Sequence, residues 1–491
     1  MGIFLRELVD DTRNTVGDAC AIVLRLAVEE LLGEGGITHQ GEGYDILAML
    51  SKLPDLWDVN ISDWANDSGS SRFVKQGFQE QYITFEKSLT KKPVVGVRRY
   101  TTPEAMASIV QRGFVDLVGA ARPSIADPFL PKKIDQQRVE SNPAKYSEIR
   151  ECIGCNICVS ADQLFVPIRC TQNPTMGEEW RRSWHPERIP TKKSEKTIFV
   201  VGGGPAGLEC ARALGKRGYQ VILTESNREM GGRGTLESKL PGLKEWRRVI
   251  DWRLTEIKKM ANVSLYPESP MQMNDLLDSG IKEIILATGA TWRRDGIGAS
   301  HWNPIPGSGK AIVFVPDDLM MGHFPKGRVV LFDDDHYYMG AVMAERLVEL
   351  GCIVTLVTPA PQVSQWSYYT LEQERTQKRL VRLGVEIWTN HRLEEILINE
   401  VLLKNLITGE NLILPCDSVL LVTDREPRDQ LYHCLKPYLE TKMLTSLRII
   451  GDANAPHLIA QAVFEGHLAA REFDEPTSDL TPFQREHPAL S

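Results

Sequence analysis

The sequence predicts an α/β chain of parallel sheets with helical crossovers that ends in two nested dinucleotide-type folds. Three observations lead there. Residues 1 to about 150 alternate short strands rich in Val, Ile and Leu with helical stretches, the repetition that parallel sheets require. At Thr197–Val201 an apolar strand runs straight into a glycine-rich turn and a helix. A second strand–helix–strand unit then starts at Arg328–Phe332, before the first fold has closed.

Taken in order, Phe4–Val16 has the spacing of an amphipathic helix. Strands are expected at Ala21–Ala27, Leu56–Ile61, Pro93–Val97 and Val115–Ala121, with helical segments such as Glu104–Gln111 between them. The polar stretch Glu178–Lys196 reads as a linker. Thr197–Val201, helix Gly207–Arg217 and strand Gln220–Thr224 form the first nucleotide-type unit, and Glu283–Ala287 leads on to Thr288–Gly289. The inserted unit is Arg328–Phe332, helix Ala341–Leu350 and strand Ile353–Val357. Ser418–Val422 and Leu447–Ile450 are expected to close the first fold, followed by Gly451–Asp452 and a last helix, Ala460–Glu472. The resulting bounds are 1–145, 146–195, 196–325 with 420–475, an insert at 326–419, and a tail at 476–491.

Composition narrows the function. A net charge of −8 gives no electrostatic reason to expect nucleic acid. No apolar run approaches the roughly 18 residues of a membrane span. The N-terminus lacks a signal-peptide layout, so a cytoplasmic location is expected. Without an export signal a disulfide framework is not expected, and Cys20, Cys210, Cys352, Cys416 and Cys434 read as small hydrophobes.

Cys152, Cys155, Cys158 and Cys170 need another explanation. Two successive CxxC spacings, Cys152-Ile-Gly-Cys155-Asn-Ile-Cys158, put three thiolates on one tight loop, and Cys170 returns after a short excursion. That layout suits a [4Fe–4S] cluster, whose irons each take one thiolate. The alternative is structural zinc, which takes four cysteines as two separated pairs. An iron–sulfur cluster moves single electrons, so a second redox centre is implied, and flavin fits because it exchanges both pairs and single electrons.

Gly202-Gly203-Gly204-Pro205-Ala206-Gly207 matches GxGxxG between a strand and a helix, with Glu225 ending the next strand. Gly202, Gly204 and Gly207 would let the backbone approach a pyrophosphate, and Glu225 would accept from ribose hydroxyls. Gly232 and Asp452 stand where an ADP-containing cofactor is held further. In the inserted unit the same turn reads Asp333-Asp334-Asp335-His336-Tyr337-Tyr338-Met339-Gly340. Three carboxylates oppose a pyrophosphate there, so NADH and NADPH are not expected as electron donors.

This constellation resembles the trimethylamine dehydrogenase group of the old yellow enzyme superfamily, across nearly the whole chain to about Glu475. The most specific stretches are Ala121-Arg122-Pro123-Ser124-Ile125-Ala126-Asp127-Pro128, the Cys152–Cys158 loop and Cys170-Thr171-Gln172-Asn173. The resemblance implies FMN at the mouth of a (β/α)8 barrel, a four-cysteine [4Fe–4S] segment, and ADP or FAD on the first nucleotide fold. Members with a degenerate second fold oxidise N-methylated amines and pass electrons to an electron-transferring flavoprotein. Members that keep it are NADPH-dependent enoate or 2,4-dienoyl-CoA reductases. A second alternative is an iron–sulfur flavoprotein electron-transfer subunit with no substrate of its own.

Three barrel positions carry over by resemblance. Arg25 matches the arginine facing the flavin pyrimidine edge, Arg122 the flavin-phosphate arginine, and Asp67, within Asp63-Trp64-Ala65-Asn66-Asp67-Ser68-Gly69, an acidic catalytic residue. The family's phosphate turn resembles Gly-Val-Gly-Arg, where this chain has Gly96-Val97-Arg98-Arg99, so Arg98 adds charge in place of a glycine. The resemblance begins midway through the barrel. The expected fold class is therefore the C-terminal half of a (β/α)8 FMN barrel, a [4Fe–4S] segment and two nested Rossmann-like domains. Four strands cannot close such a barrel, so an N-terminally truncated protein or a separate completing chain is expected, along with a homodimer.

Overall fold

The computed structural model describes residues 2–140, 148–181, 183–184 and 187–475, and the expected tail 476–491 lies outside them. The first sheet is parallel throughout, in the order Val23–Glu29, Leu56–Ile61, Val94–Gly96, Leu117–Val118, so spatial order follows chain order. Along Leu56–Ile61 burial alternates, and Trp57, Val59 and Ile61 enter a core shared with Ile46, Leu47 and Leu50 of helix Glu42–Leu50. The turns that matter most leave the carboxyl ends of these strands, where parallel α/β sheets place their ligands. The last strand is shorter than Val115–Ala121. Chain direction changes at Gly119–Ala120, and Arg122 sits in the first turn of helix Ala121–Ala126 instead, where Pro123 pre-sets a helical φ.

The second sheet is five-stranded and parallel, ordered Ser446–Ile449, Glu283–Leu286, Thr197–Val201, Gln220–Thr224, Val263–Tyr266. Helix Pro205–Arg217 packs on it and against helix Ile459–Arg471. The approach is close: a Cβ on Gly466 would lie 2.2 Å from the Ala206 carbonyl oxygen. The sequence reading missed Val263–Tyr266, whose half-exposed residues lack an apolar run.

The third sheet has the order Val313–Phe314, Ser418–Val422, Arg328–Asp333, Ile353–Val357, Glu386–Trp388, again parallel. This corrects one expectation. Ser418–Val422 does not close the first fold but lies inside the inserted one, hydrogen-bonded to Arg328–Asp333. Its five residues are all buried, as a strand flanked on both sides must be, and an apolar run alone does not say which sheet it joins. Val313–Phe314 likewise joins the insert from before residue 326. Two antiparallel sheets, His391–Ile396 with Glu400–Asn405 and Asn411–Pro415, and Ala290–Trp292 with Arg425–Pro427, complete the described strands.

Among the described residues, the stretch expected as a linker carries no helix or strand after Glu178, yet it is packed. Trp184 is buried edge-on against His467. No helix of the described residues is long and apolar enough to cross a membrane.

Candidate redox and nucleotide site

The cysteine loop is irregular through Asn156 and then becomes helix Ile157–Gln163, which carries Cys158. Gly154 has φ +65°, and a Cβ there would lie 2.7 Å from Arg99 Nη1 and 3.0 Å from Ser71 Cβ, so only glycine fits. Backbone N–H groups aim at two of the sulfurs: Gly154 donates to Cys152 Sγ at 3.3 Å and Gln172 to Cys170 Sγ at 3.4 Å. Cys155 Sγ lies 3.2 Å from Thr171 Oγ1. Burial pushes the Cys155 thiol up to about 12 and Cys170 to about 11, with Cys158 also raised; neighbouring thiolates among the four add to each rise. The structure thus gathers all four thiols, and ionising them together needs positive charge in their midst. Among the described residues no group of three or more His, Cys, Asp or Glu side chains is set to hold a metal ion.

Cys152 and Cys158 line a cavity of about 410 Å³ that Arg25, Asp67, Arg99 and Arg122 also line. Arg25 faces Asp58 across the first strand pair and binds it at 3.3 Å, and its other Nη donates to Asp67 Oδ2 at 3.1 Å. Asp67 follows helix-capping Asp63, and its Oδ1 accepts from Gln79 Nε2 at 2.7 Å. Arg122 Nη1 donates to Asn156 Oδ1 at 2.6 Å and to the Ser68 and Gly69 carbonyls at 3.2 Å.

Arg98 does not face this cavity. Its guanidinium turns inward to Glu86 Oε1 at 2.6 Å and the Ile83 carbonyl at 3.2 Å, because the backbone at Arg98 and Arg99 takes positive φ, 20° and 57°. The charge facing the cavity from this turn is that of Arg99. Arg99 is buried, its Nε has no hydrogen-bond partner among the described residues, and burial together with Arg122 pushes its pKa down to about 10. Arg99 escaped the sequence reading, although it lies in the quoted turn. Asn156 escaped as well, between two cysteines that drew all the notice.

The second cavity, about 850 Å³, is lined by Gly202, Gly204, Glu225, Gly232, Arg233 and Asp452, among others. A Cβ at Gly204 would meet nothing within 4 Å, so its backbone is open to a ligand. Gly207 does not line the cavity but packs: its Cβ would fall 1.8 Å from the Gly202 carbonyl oxygen. Glu225 accepts from the Gly203 and Asn227 N–H groups, each at 2.9 Å, which aims its carboxylate at the glycine turn. Asp452 is held by Arg233 at 2.6 Å and Arg425 at 2.7 Å.

In the inserted fold the corresponding turn is filled from within. A Cβ at Gly340 would lie 2.3 Å from Asp333 Cγ, so the Asp333 carboxyl stands at the start of helix Tyr338–Glu349. Burial raises its pKa to about 6. Asp334 accepts from the Ser300 N–H at 2.8 Å and meets His336 Nε2 at 3.2 Å.

Residues 3–141 match the model of the NADH:flavin oxidoreductase / NADH oxidase family, 196–316 that of pyridine nucleotide-disulphide oxidoreductases, and 314–413 that of the OYE-like second alpha/beta domain. The chain is 37% identical to dimethylamine dehydrogenase of Hyphomicrobium sp. (strain x), over 99% of this chain and 70% of that protein. It superposes on histamine dehydrogenase from Rhizobium sp. 4-9 with a TM-score of 0.94 at 44% identity, covering 99% of this chain and 71% of that one. For the 6-hydroxypseudooxynicotine amine oxidase of Pseudomonas geniculata N1 the TM-score is 0.92 at 44% identity, covering 96% and 70%. Fold and site therefore define a flavin-dependent oxidoreductase of the old yellow enzyme type. Within that superfamily the chain belongs to the family of dimethylamine dehydrogenase.

Proposed function

We propose that the protein oxidises an N-methylated amine at the Arg25–Asp67 end of the 410 Å³ cavity and passes the electrons toward the four-cysteine loop. The observation that carries this reading is that one cavity joins the two ends: Asp67 and Arg25 at one, Cys152 and Cys158 at the other. FMN is the group whose phosphate suits Arg99 and Arg122, since a buried guanidinium with an unpartnered Nε beside a second one calls for an anion. Cys152, Cys155, Cys158 and Cys170 would hold a [4Fe–4S] cluster: the donor set is all thiol, and two of the sulfurs already receive backbone N–H groups. The 850 Å³ cavity fits ADP or FAD through Gly202, Gly204 and Glu225. When bound, FMN would accept the two electrons from the substrate and the cluster would carry them away singly, while ADP would take no part in the electron transfer.

The chain's own part is electrostatic. Asp67 would place a carboxylate beside the iminium, stabilising the positive charge that develops as the neutral amine is oxidised, and Arg25 pairs with that carboxylate at 3.1 Å. In the overall reaction a methyl C–H bond of the amine breaks, two electrons leave, and water hydrolyses the iminium to an aldehyde and the demethylated amine. Electrons would depart to an electron-transferring flavoprotein. The carboxylates of Asp333 and Asp334 occupy the turn that NADPH would need, which disfavours enoate reduction.

The first sheet reads as half of a (β/α)8 barrel. Among the described residues both outer strands, Val23–Glu29 and Leu117–Val118, pair on one side only, and four further strands from the same or another chain would close it. Anaerobic addition of dimethylamine or trimethylamine to the purified protein should bleach the flavin and reduce a dye acceptor. Absence of bleaching with every methylated amine would end the proposal, and NADPH-driven bleaching would replace it.

A further inference from the structure

Asn156 stands where three segments meet. It lies in the cysteine loop, is almost wholly buried, and has φ +57°, a conformation that asparagine tolerates better than most L-residues. Every polar atom of its carboxamide is used. Nδ2 donates to the Ser68 carbonyl at 2.7 Å and to the Thr370 carbonyl at 3.0 Å, while Oδ1 accepts from Arg122 Nη1 at 2.6 Å. The three partners belong to the turn after Asp67, the inserted fold, and the helix that carries Arg122. The circuit closes on itself: Thr370 Oγ1 donates to Glu372 at 2.7 Å, and the other Glu372 oxygen accepts from Ser70 Oγ at 2.6 Å.

We propose that Asn156 is a positioning residue that sets the Arg122 guanidinium and the Ser68–Gly69 turn against the cysteine loop. No other side chain of that size does this. Aspartate has no proton for the two carbonyls, and serine lacks the reach and the second donor. The inserted fold thereby acquires a role besides scaffold, because Thr370 supplies the third anchor. The inference rests on the reading of Arg122 as the flavin-phosphate arginine.

Asn156→Gly removes the carboxamide and keeps positive φ accessible, so it isolates the hydrogen bonds from backbone strain. Three quantities would be measured on the full protein: FMN affinity after flavin removal, iron per chain, and hydrogen exchange of the amides of residues 63–72. N156G should raise the FMN Kd about tenfold, leave iron at the parent level and speed exchange in 63–72. Asn156→Asp, which keeps the acceptor for Arg122 but has no proton for the two carbonyls and serves should the glycine variant fold poorly, should fall between. If Asn156 acts through Arg122, adding N156G to Arg122→Ala should leave the Kd of R122A unchanged. Loss of iron with FMN affinity intact, additive effects of the two substitutions, or unchanged exchange overturns the inference. An R122A protein with parental FMN affinity instead overturns the reading of Arg122, and the positioning role falls with it.

Discussion

The Arg98 guanidinium donates to the Glu86 carboxylate at 2.6 Å, and neither side chain reaches solvent. Arg98 stands where the resembled family has a glycine, at a backbone position with positive φ, so the chain combines a strained turn with a buried ion pair. Burial outweighs the pull of Arg98 and pushes the Glu86 carboxyl up to about 8.

The two halves of that pair should be unequal in mutation. Glu86→Ala strands a guanidinium that does not deprotonate, and should cost about 3–5 kcal/mol in urea unfolding. Arg98→Gly strands a carboxyl that neutralises instead, and relieves the turn, so at pH 7 its cost should be smaller. The sign of its pH dependence follows from a folded pKa above the unfolded one. Stability is fully present below about 4.5 and lost as pH rises through 8 and above, so R98G should weaken toward alkaline pH. Equal costs at pH 7 would contradict this account.

Arg99 should show opposite effects on stability and binding. An unpartnered buried cation destabilises the flavin-free protein, so Arg99→Met should raise its unfolding free energy by about 1–3 kcal/mol. The same substitution should weaken FMN binding at least tenfold, because a charge-assisted hydrogen bond is lost. Thermal scans of stripped protein and a flavin titration check both signs.

Gly204 and Gly207 belong to one motif but to different tasks. Gly207→Ala drives a Cβ to 1.8 Å from the Gly202 carbonyl oxygen and should destabilise the fold by about 3 kcal/mol or more. Gly204→Ala meets nothing within 4 Å in the protein and should fold as the parent does. Its defect should appear as adenine nucleotide missing from the purified protein, measured by chromatography of an acid extract.

Asp333 should give the inserted fold an alkaline weakness. Its folded pKa of about 6 lies above the ordinary 3.8, so its contribution is complete below that value and is lost as pH rises through 6. His336, raised chiefly by its hydrogen bond to Asp334 against the desolvation that lowers it, acts in the same direction. Asp333→Asn carries no charge to desolvate. It should flatten the stability profile between pH 4 and 6 and exceed the parent above pH 6.5 by up to about 3 kcal/mol. A parallel pair of profiles would rule this out.

Much of the chain was legible as text because its signals are local. GxGxxG between a strand and a helix, two overlapping CxxC spacings, and three aspartates in a nucleotide turn each need only neighbouring residues to be read. The structure puts the four cysteines together, opens Gly204 to a cavity and fills the second turn with Asp333. Ser418–Val422 was legible as a strand but not as a member of the inserted sheet, since a run of four apolar residues after Ser418 suits the centre of either one.

What the sequence determined by itself is local pattern: residue types at fixed short spacings form two overlapping CxxC units, a glycine-rich turn between strand and helix, and a second such turn filled with aspartates. Only the tertiary structure decided which charges face the cavity. Arg98 and Arg99 are adjacent and chemically identical, yet one pairs with Glu86 in the core and the other faces Arg122. That choice depends on two positive φ angles and on a carboxylate 12 residues upstream in the chain. Asn156 likewise draws its meaning from Ser68, Arg122 and Thr370, brought together only when the four-stranded first domain, the cysteine loop and the inserted fold pack. Hydrogen bonds between distant segments leave no periodicity in the sequence, because their partners are set by the fold and not by spacing along the chain.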